Sequence, residues 1–452
     1  MAFADLRAAL AWLEEAGRLT VVGEPLSPRH EIGAFLALAS RRERRAYRFD
    51  AVAGYAVPVV ANVVHDRAVL AAAMGVEVDD LVTAYQARLG SPLAPVLVSD
   101  APLLQHSAPV DVERLLPALT HYERDSGPFV TSGMVTMRNP ATGALERTLC
   151  RLELRGPDAL GMGFLTAPFV DLLPTLAQQV SAGQPQPVAI TMGFEPGVLL
   201  SSALAPQAGF DKLAVGGGVR GAPVEVVEGP LTGLAVPARA EFLVEGVLEV
   251  PGQFDGPMGE SNGYYQSTPV TPTCRIGAVH HRADPIYQAL LPTGPESDTL
   301  LVLVIEAAIA TTIRTRFPFV RRVAFSPGSF GAALVVSVAR AEPDSVRELL
   351  RELLELNRTK KVVVVADDVD PADLVRVEWS IVTRSQPDRD VVVVSGKPGH
   401  PIDPTCLPER ITARIGIDAT GFDHFQCEGP VTFAPAAWAR AQDVFTHITK
   451  GR

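Results

Sequence analysis

The sequence predicts a mixed α/β (α+β) protein in three parts: an N-terminal α/β region, a central antiparallel sheet or barrel, and a C-terminal α/β unit. Three observations carry this expectation. The chain has 452 residues, enough for about three domains. Helical apolar spacing alternates with strand-like runs near both ends, whereas strand signals dominate the middle. The 37 Gly and 38 Pro exceed the usual roughly 12% for these two residues together. They follow no fixed repeat, so they mark many turns.

The elements follow in order. Residues 1–22 set Leu, Ala and Trp against Arg and Glu at helical spacing and stop at Gly17. Residues 46–64 switch to strand content with turn Gly and Pro. Residues 68–74 and 78–89 read as helices, and the N-terminal α/β region, 1–113, leaves through Pro92, Pro95, Pro102 and Pro109. The central domain, 114–297, carries strand patterns at 129–138, 145–155, 187–194, 224–227, 239–250 and 274–281, with a helix at 169–182. NPATG at 139–143 is a hairpin turn between the first two strands. Residues 298–318 form a linking helix. The last unit, 319–452, alternates strands at 321–325, 332–339, 362–366 and 391–394 with helices at 344–356 and 371–375.

Charge and composition exclude several functions. A net charge of −11 argues against a general nucleic-acid binder, although a few local cations can still gather an anionic small molecule. The longest apolar runs, such as 300–305 and 362–366, fall far short of the roughly 18 residues of a membrane span. Asp5, Glu14 and Glu15 occupy the N-terminal pattern, which lacks the basic start and cleavage site of a signal peptide. Cys150, Cys274, Cys406 and Cys427 are far apart, with no CxxC pair. That speaks against a zinc ribbon or disulfide scaffold and fits a reducing cytosol.

Chemistry concentrates in three places. In FDGPMGESNGYY (254–265), Gly256, Pro257 and Gly259 force a tight, non-helical path that can turn Asp255 and Glu260 toward one pocket. Two carboxylates in one environment can separate into an acid and a base, but the same composition also describes a solvated turn. Arg151 shares a strand face with Leu145, Arg147 and Leu149. It can fork onto a carboxylate or pair with Glu146 or Glu153 at the surface. KLAVGGGVRG (212–221) sets three glycines before Arg220. This can bring N–H groups and a cation to a phosphate or form a flexible turn, and it lacks GK[ST] and GxGxxG spacing. Cys150 reads as a packing residue or as a thiol of lowered pKa. His121, His280, His281 and His400 lack HExxH or HxH metal spacing, and no GxSxG elbow exists.

In this order the segments resemble the UbiD family of decarboxylases, which are usually dependent on prenylated FMN. The likeness runs through HYERDSGPFVTSGMVTMRNPATG (121–143), CRLEL (150–154), GGGVRG (216–221), VPARAEFLVEG (236–246), GPMGESNGYY (256–265), RADPIYQA (282–289), KVVVVADDVD (361–370), WSIVTRSQPDRDVVVV (379–394) and IGIDAT (415–420). It implies that 114–297 is a split β-barrel of flavin-reductase type and that 319–452 supports oligomerisation, as a homodimer or a higher assembly. It also implies a catalytic acid–Arg–acid network on Arg151, Asp255 and Glu260, with Glu260 as proton donor. Asp255 is one methylene shorter than the Glu usual there. Thr131, Arg220 and Lys361 fall on cofactor-binding positions.

The family's divalent-metal ligands fall on Glu146, Ala167 and Lys212. Losing an imidazole and gaining an ammonium counts against bound manganese and potassium. Lys212, held by Glu146, is expected to offset the cofactor phosphate instead; the alternative is that prenylated-FMN binding has been lost or altered. The resemblance implies a cytoplasmic, non-oxidative decarboxylase (a reversible carboxy-lyase) of a small unsaturated, aromatic or heteroaromatic carboxylic acid. A flavin prenyltransferase would supply its cofactor. The alternatives are a non-catalytic scaffold or subunit, and a cofactor-independent enzyme reusing the Asp255/Glu260 pair.

Overall fold

The computed structural model describes residues 3–164, 169–203, 210–356, 359–406, 409–422 and 431–449. Ala167 and Cys427 lie outside the described residues.

The middle of the chain closes into an antiparallel barrel. Its strands are β1 (Phe129–Arg138), β2 (Leu145–Leu154), β3 (Ala159–Gly163), β4 (Pro187–Met192), β5 (Phe242–Gly259) and β6 (Tyr265–His281). They run in the order β5-β4-β1-β2-β3-β6, and pairing of β5 with β6 closes the circle. Period-2 alternation decides which side chains go where. Val135, Val188, Ile190, Phe242 and Val244 belong to one core. Their chain neighbours Met134, Ala189 and Leu243 pack outward against the N-terminal helices. The NPATG turn joins β1 to β2, with Ala141 N–H on Asn139 Oδ1 and Gly143 at φ 73°.

Two Gly-rich segments fold differently from expectation. The Gly/Pro stretch around Asp255 is not a free loop, because β5 continues to Gly259 and β6 begins at Tyr265. Register shifts on both sides of Asp255 bend this hairpin. Residues 212–221 are not a turn either. They form a helix, and with α1 as Pro196–Ser202, it is α2, Lys212–Arg220. Glycine lowers intrinsic helix propensity, but here it allows close approach. A Cβ at Gly217 or Gly218 would come within 2.7 Å of the Leu93 or Ser91 carbonyl oxygen. Asp211 caps the helix start through Leu213 N–H, and Gly221 ends it at φ 74°.

Smaller differences lie nearby. The expected 224–227 strand is Glu225–Glu228, which leaves the barrel and pairs with Ala235–Pro237 and Val96–Leu97. Tyr287–Ala289 completes the N-terminal sheet beside Val59–Ala61, Ala46–Phe49 and Leu19–Val22. A helix at Glu31–Ala39 has no counterpart among the expected elements. Its nearly unbroken apolar run gives no helical stripe, and His30 supplies no side-chain cap.

Helix α3 (Pro295–Arg316) leads from the barrel to a C-terminal sheet. That sheet runs in the order Val320–Phe325, Ala333–Val338, Lys361–Ala366, Ile411–Ala419, Val391–Pro398. Val362 and Val364 pack under Pro343–Glu355, while Val363 and Val365 pack under Leu374–Arg384 on the other face. The Leu374–Arg384 helix overlaps the expected 371–375 only at its start and runs nine residues further. Among the described residues, no helix is long and apolar enough to cross a membrane.

Candidate active site

Arg151 projects from β2 beside Gly163 of β3, its pairing partner. A Cβ at Gly163 would sit 2.8 Å from Arg151 Cγ, so glycine makes room for the side chain. Arg151 Nη1 donates to Glu260 Oε1 at 2.6 Å, and Nη2 lies 2.5 Å from Asp255 Oδ1. Nη2 also donates to Thr268 Oγ1 at 3.2 Å. Arg151 and Asp255 are buried, and Glu260 is nearly so. The surface alternatives for Arg151 are otherwise engaged. Glu153 accepts from Ser126 and Arg155, and Glu146 accepts from Asn139 Nδ2 at 3.2 Å.

Burial sets the electrostatics. It raises the pKa of both Asp255 and Glu260, with the Arg151 charge opposing. One guanidinium faces two carboxylates, so full ionisation would leave a net negative charge out of water. The pair therefore retains a proton to higher pH than an isolated acid. Cys150 follows the packing alternative, because burial pushes its thiol pKa far up.

A cavity of about 260 Å³ opens beside this cluster. Thr131, Arg151 and Glu260 line it together with apolar Leu149, Phe164, Met258, Leu290 and Leu301. Thr131 Oγ1 accepts from Leu290 N–H at 2.9 Å. Largely apolar walls carrying a few polar groups suit a flavin ring.

Lys212 is not itself among the cavity's described walls, but it adjoins them through Ser202, the residue before cavity-lining Ala203, and is 4% exposed. Its Nζ donates to Ser202 O at 2.9 Å. Among the described ion pairs there is no direct one with Glu146, so the expected Glu146 hold is replaced by a carbonyl. Glu146 acts at longer range, and burial lowers the Lys212 pKa to about 8. An ammonium and one carboxylate already bonded to Asn139 do not fit a divalent cation. Among the described residues no group of three or more His, Cys, Asp or Glu is set to hold a metal ion.

The structure thus brings Thr131, Arg151, Asp255 and Glu260 together, with Lys212 adjoining. Arg220 and Lys361 are not among the cavity's described walls. Arg220 Nη2 donates to Phe3 O at 3.0 Å, and its charge faces buried Glu195. Lys361 is exposed at the start of a C-terminal strand.

Sequence reasoning missed Asp125. Its Oδ2 accepts from His121 and Tyr122 N–H, and its Oδ1 accepts from Gly259 N–H, each at 2.9 Å. The first two contacts form a local turn visible in the spacing. The third, to the residue before Glu260, joins positions far apart in sequence and left no signal. Asp125→Ala is expected to leave these N–H groups unpaired, at a cost of roughly 3 kcal/mol, and to reduce turnover by displacing Glu260. A thermal melt combined with a turnover assay checks both effects.

Comparisons with known proteins bear on this site. Family models described as the N-terminal, Rift-related and C-terminal domains of 3-octaprenyl-4-hydroxybenzoate carboxy-lyase match residues 10–89, 96–295 and 298–419. An anhydromevalonate phosphate decarboxylase of Methanosarcina mazei is 29% identical, over 90% of this chain and 94% of its own. One from Methanothermobacter thermautotrophicus is 30% identical, over 68% and 72%. The UbiD-class enzyme HmfF from Pelotomaculum thermopropionicum, solved in complex with FMN, superposes with a TM-score of 0.90 at 30% identity, covering 96% of this chain and 98% of that one. An evolved dimeric form of HmfF, solved with prFMN, gives 0.85 at 29% identity, covering 96% and 100%.

Proposed function

This chain belongs to the UbiD family of decarboxylases, and we propose that it removes CO2 without net oxidation from a small unsaturated, aromatic or heteroaromatic acid, using prenylated FMN. The observation that carries this reading is the buried clamp of one guanidinium, Arg151, on two acids at the wall of an apolar cavity. Bound prenylated FMN supplies the electron sink that carbanion formation requires and that no side chain offers. Thr131 and the apolar walls would seat the ring and exclude water. Arg151 orients the reacting group and steadies the negative charge on Asp255. The bond from carbon to CO2 breaks, and Glu260 delivers its proton to that same carbon. The raised pKa of Glu260 keeps this proton in place to higher pH than an ordinary carboxylic acid would.

The sign of the pH dependence follows. Glu260 must be protonated to donate, so kcat is expected to fall as pH rises through its raised pKa, above the ordinary carboxylate range. A pH–rate profile under saturating substrate checks this. A limb rising from pH 5 to 8 counts against Glu260 as the acid.

Co-expression with a flavin prenyltransferase, followed by absorption spectra and CO2-release assays over a panel of acids, tests the whole reading. The panel should include a phosphorylated unsaturated acid, since curated relatives are anhydromevalonate phosphate decarboxylases. Bound flavin with CO2 release supports the proposal. A colourless but active protein would instead favour cofactor-independent use of the acid pair, and flavin without turnover would favour a scaffold. Cytoplasmic location and homodimer formation belong to the same proposal.

A further inference from the structure

We propose that Lys212 is the resident cation for the flavin phosphate, so that this chain holds its cofactor without a divalent metal. The inference rests on the flavin reading above and concerns the ammonium that adjoins the cavity wall at Ala203.

Four observations point there. Lys212 is 4% exposed, and its Nζ donates to the Ser202 carbonyl. That oxygen is an uncharged acceptor on the residue before cavity-lining Ala203. The one nearby carboxylate acting on Lys212, Glu146, makes no direct ion pair with it among the described residues and is bonded to Asn139. A buried ammonium without a touching counter-ion is costly unless an anion completes it. Lys212 also lies close enough to act on Cys150, the cavity-lining neighbour of Arg151, as well as on Glu146 farther along β2, so a flavin mononucleotide with its ring beside Arg151 and its phosphate turned along β2 would meet this ammonium. The two other cations of β2 are engaged. Arg147 bonds Asp211 and the Ala235 carbonyl, and Arg151 is shared between the two acids.

The test uses full-length protein freed of flavin and titrated with FMN and with riboflavin, which lacks the phosphate, with and without EDTA. Metal content is measured by mass spectrometry. Wild type is expected to bind FMN without a stoichiometric metal and without sensitivity to EDTA. Lys212→Gln is expected to weaken FMN at least tenfold and to leave riboflavin unchanged. Lys212→Met, which suits a buried site, guards against a folding artefact and should behave alike, while Lys212→Arg should restore much of the difference. One manganese per chain with chelator-released FMN overturns the proposal but leaves the flavin reading intact. Equal loss of FMN and riboflavin in both neutral variants also overturns it. If wild type binds neither flavin, with or without added manganese, the flavin reading itself falls together with this proposal.

Discussion

Glu260→Gln is expected to lower turnover by about 10²- to 10⁴-fold, the usual worth of a positioned general acid, while flavin content stays at the wild-type level. Glutamine keeps an oxygen for Arg151 Nη1, which now donates to Glu260 at 2.6 Å. The clamp therefore survives and only the transferable proton is lost. Because glutamine carries no charge, the variant also avoids the burial penalty that raises the Glu260 pKa, and its melting temperature should equal or exceed the parent's. Single-turnover measurements with flavin absorbance recorded on the same sample separate the two readouts. Near-normal turnover would remove Glu260 from the chemistry.

The second large effect concerns Arg151. Arg151→Met would leave Asp255, fully buried, without its ion-pair partner. Removing one member of a buried pair typically costs about 3–5 kcal/mol. Asp255 Oδ1 and Oδ2 find no other hydrogen-bond partner among the described residues, so nothing softens the loss. The pH sign is determined. Both acids already have raised pKa values in the folded protein, and removing the guanidinium raises them further. The folded state then binds more protons than the unfolded one, so the variant's stability falls as pH rises above the ordinary carboxylate range. Denaturant midpoints at pH 5 and pH 8 should therefore diverge more for Arg151→Met than for wild type. Adding Asp255→Asn should recover much of the stability and none of the activity. An equal loss at both pH values would show that packing, not charge, dominates.

Much of this architecture was legible because its signals are local. The NPATG turn and the alternation in β1 and β2 need only a few neighbouring residues, and the strands follow. The acid pair and Arg151 were visible as residue types, but surface pairing was an equal or better account until a family resemblance ordered them. What stayed hidden depends on distant backbone. The glycines of α2 look like a turn because their packing partners, Ser91 and Leu93, lie more than a hundred residues earlier. The Asp125 contact to Gly259 and the Lys212 contact to Ser202 are also side chain to backbone. A backbone group offers no residue type for a sequence pattern to register. Arg220 shows the opposite failure, since its motif drew attention while its guanidinium bonds the Phe3 carbonyl.

The β5–β6 hairpin has a further consequence. Its two ends, Phe242 and His281, are paired directly with each other, and both acids lie between them. The acidic half of the clamp is therefore a cassette with adjacent ends, whereas Arg151 and Lys212 sit on separate segments outside it. Recombination at those ends would carry both carboxylates as one unit and leave the cationic half behind. An exchange of this hairpin alone would thus pair Asp255 and Glu260 with whatever cations the recipient carries at the positions of Arg151 and Lys212.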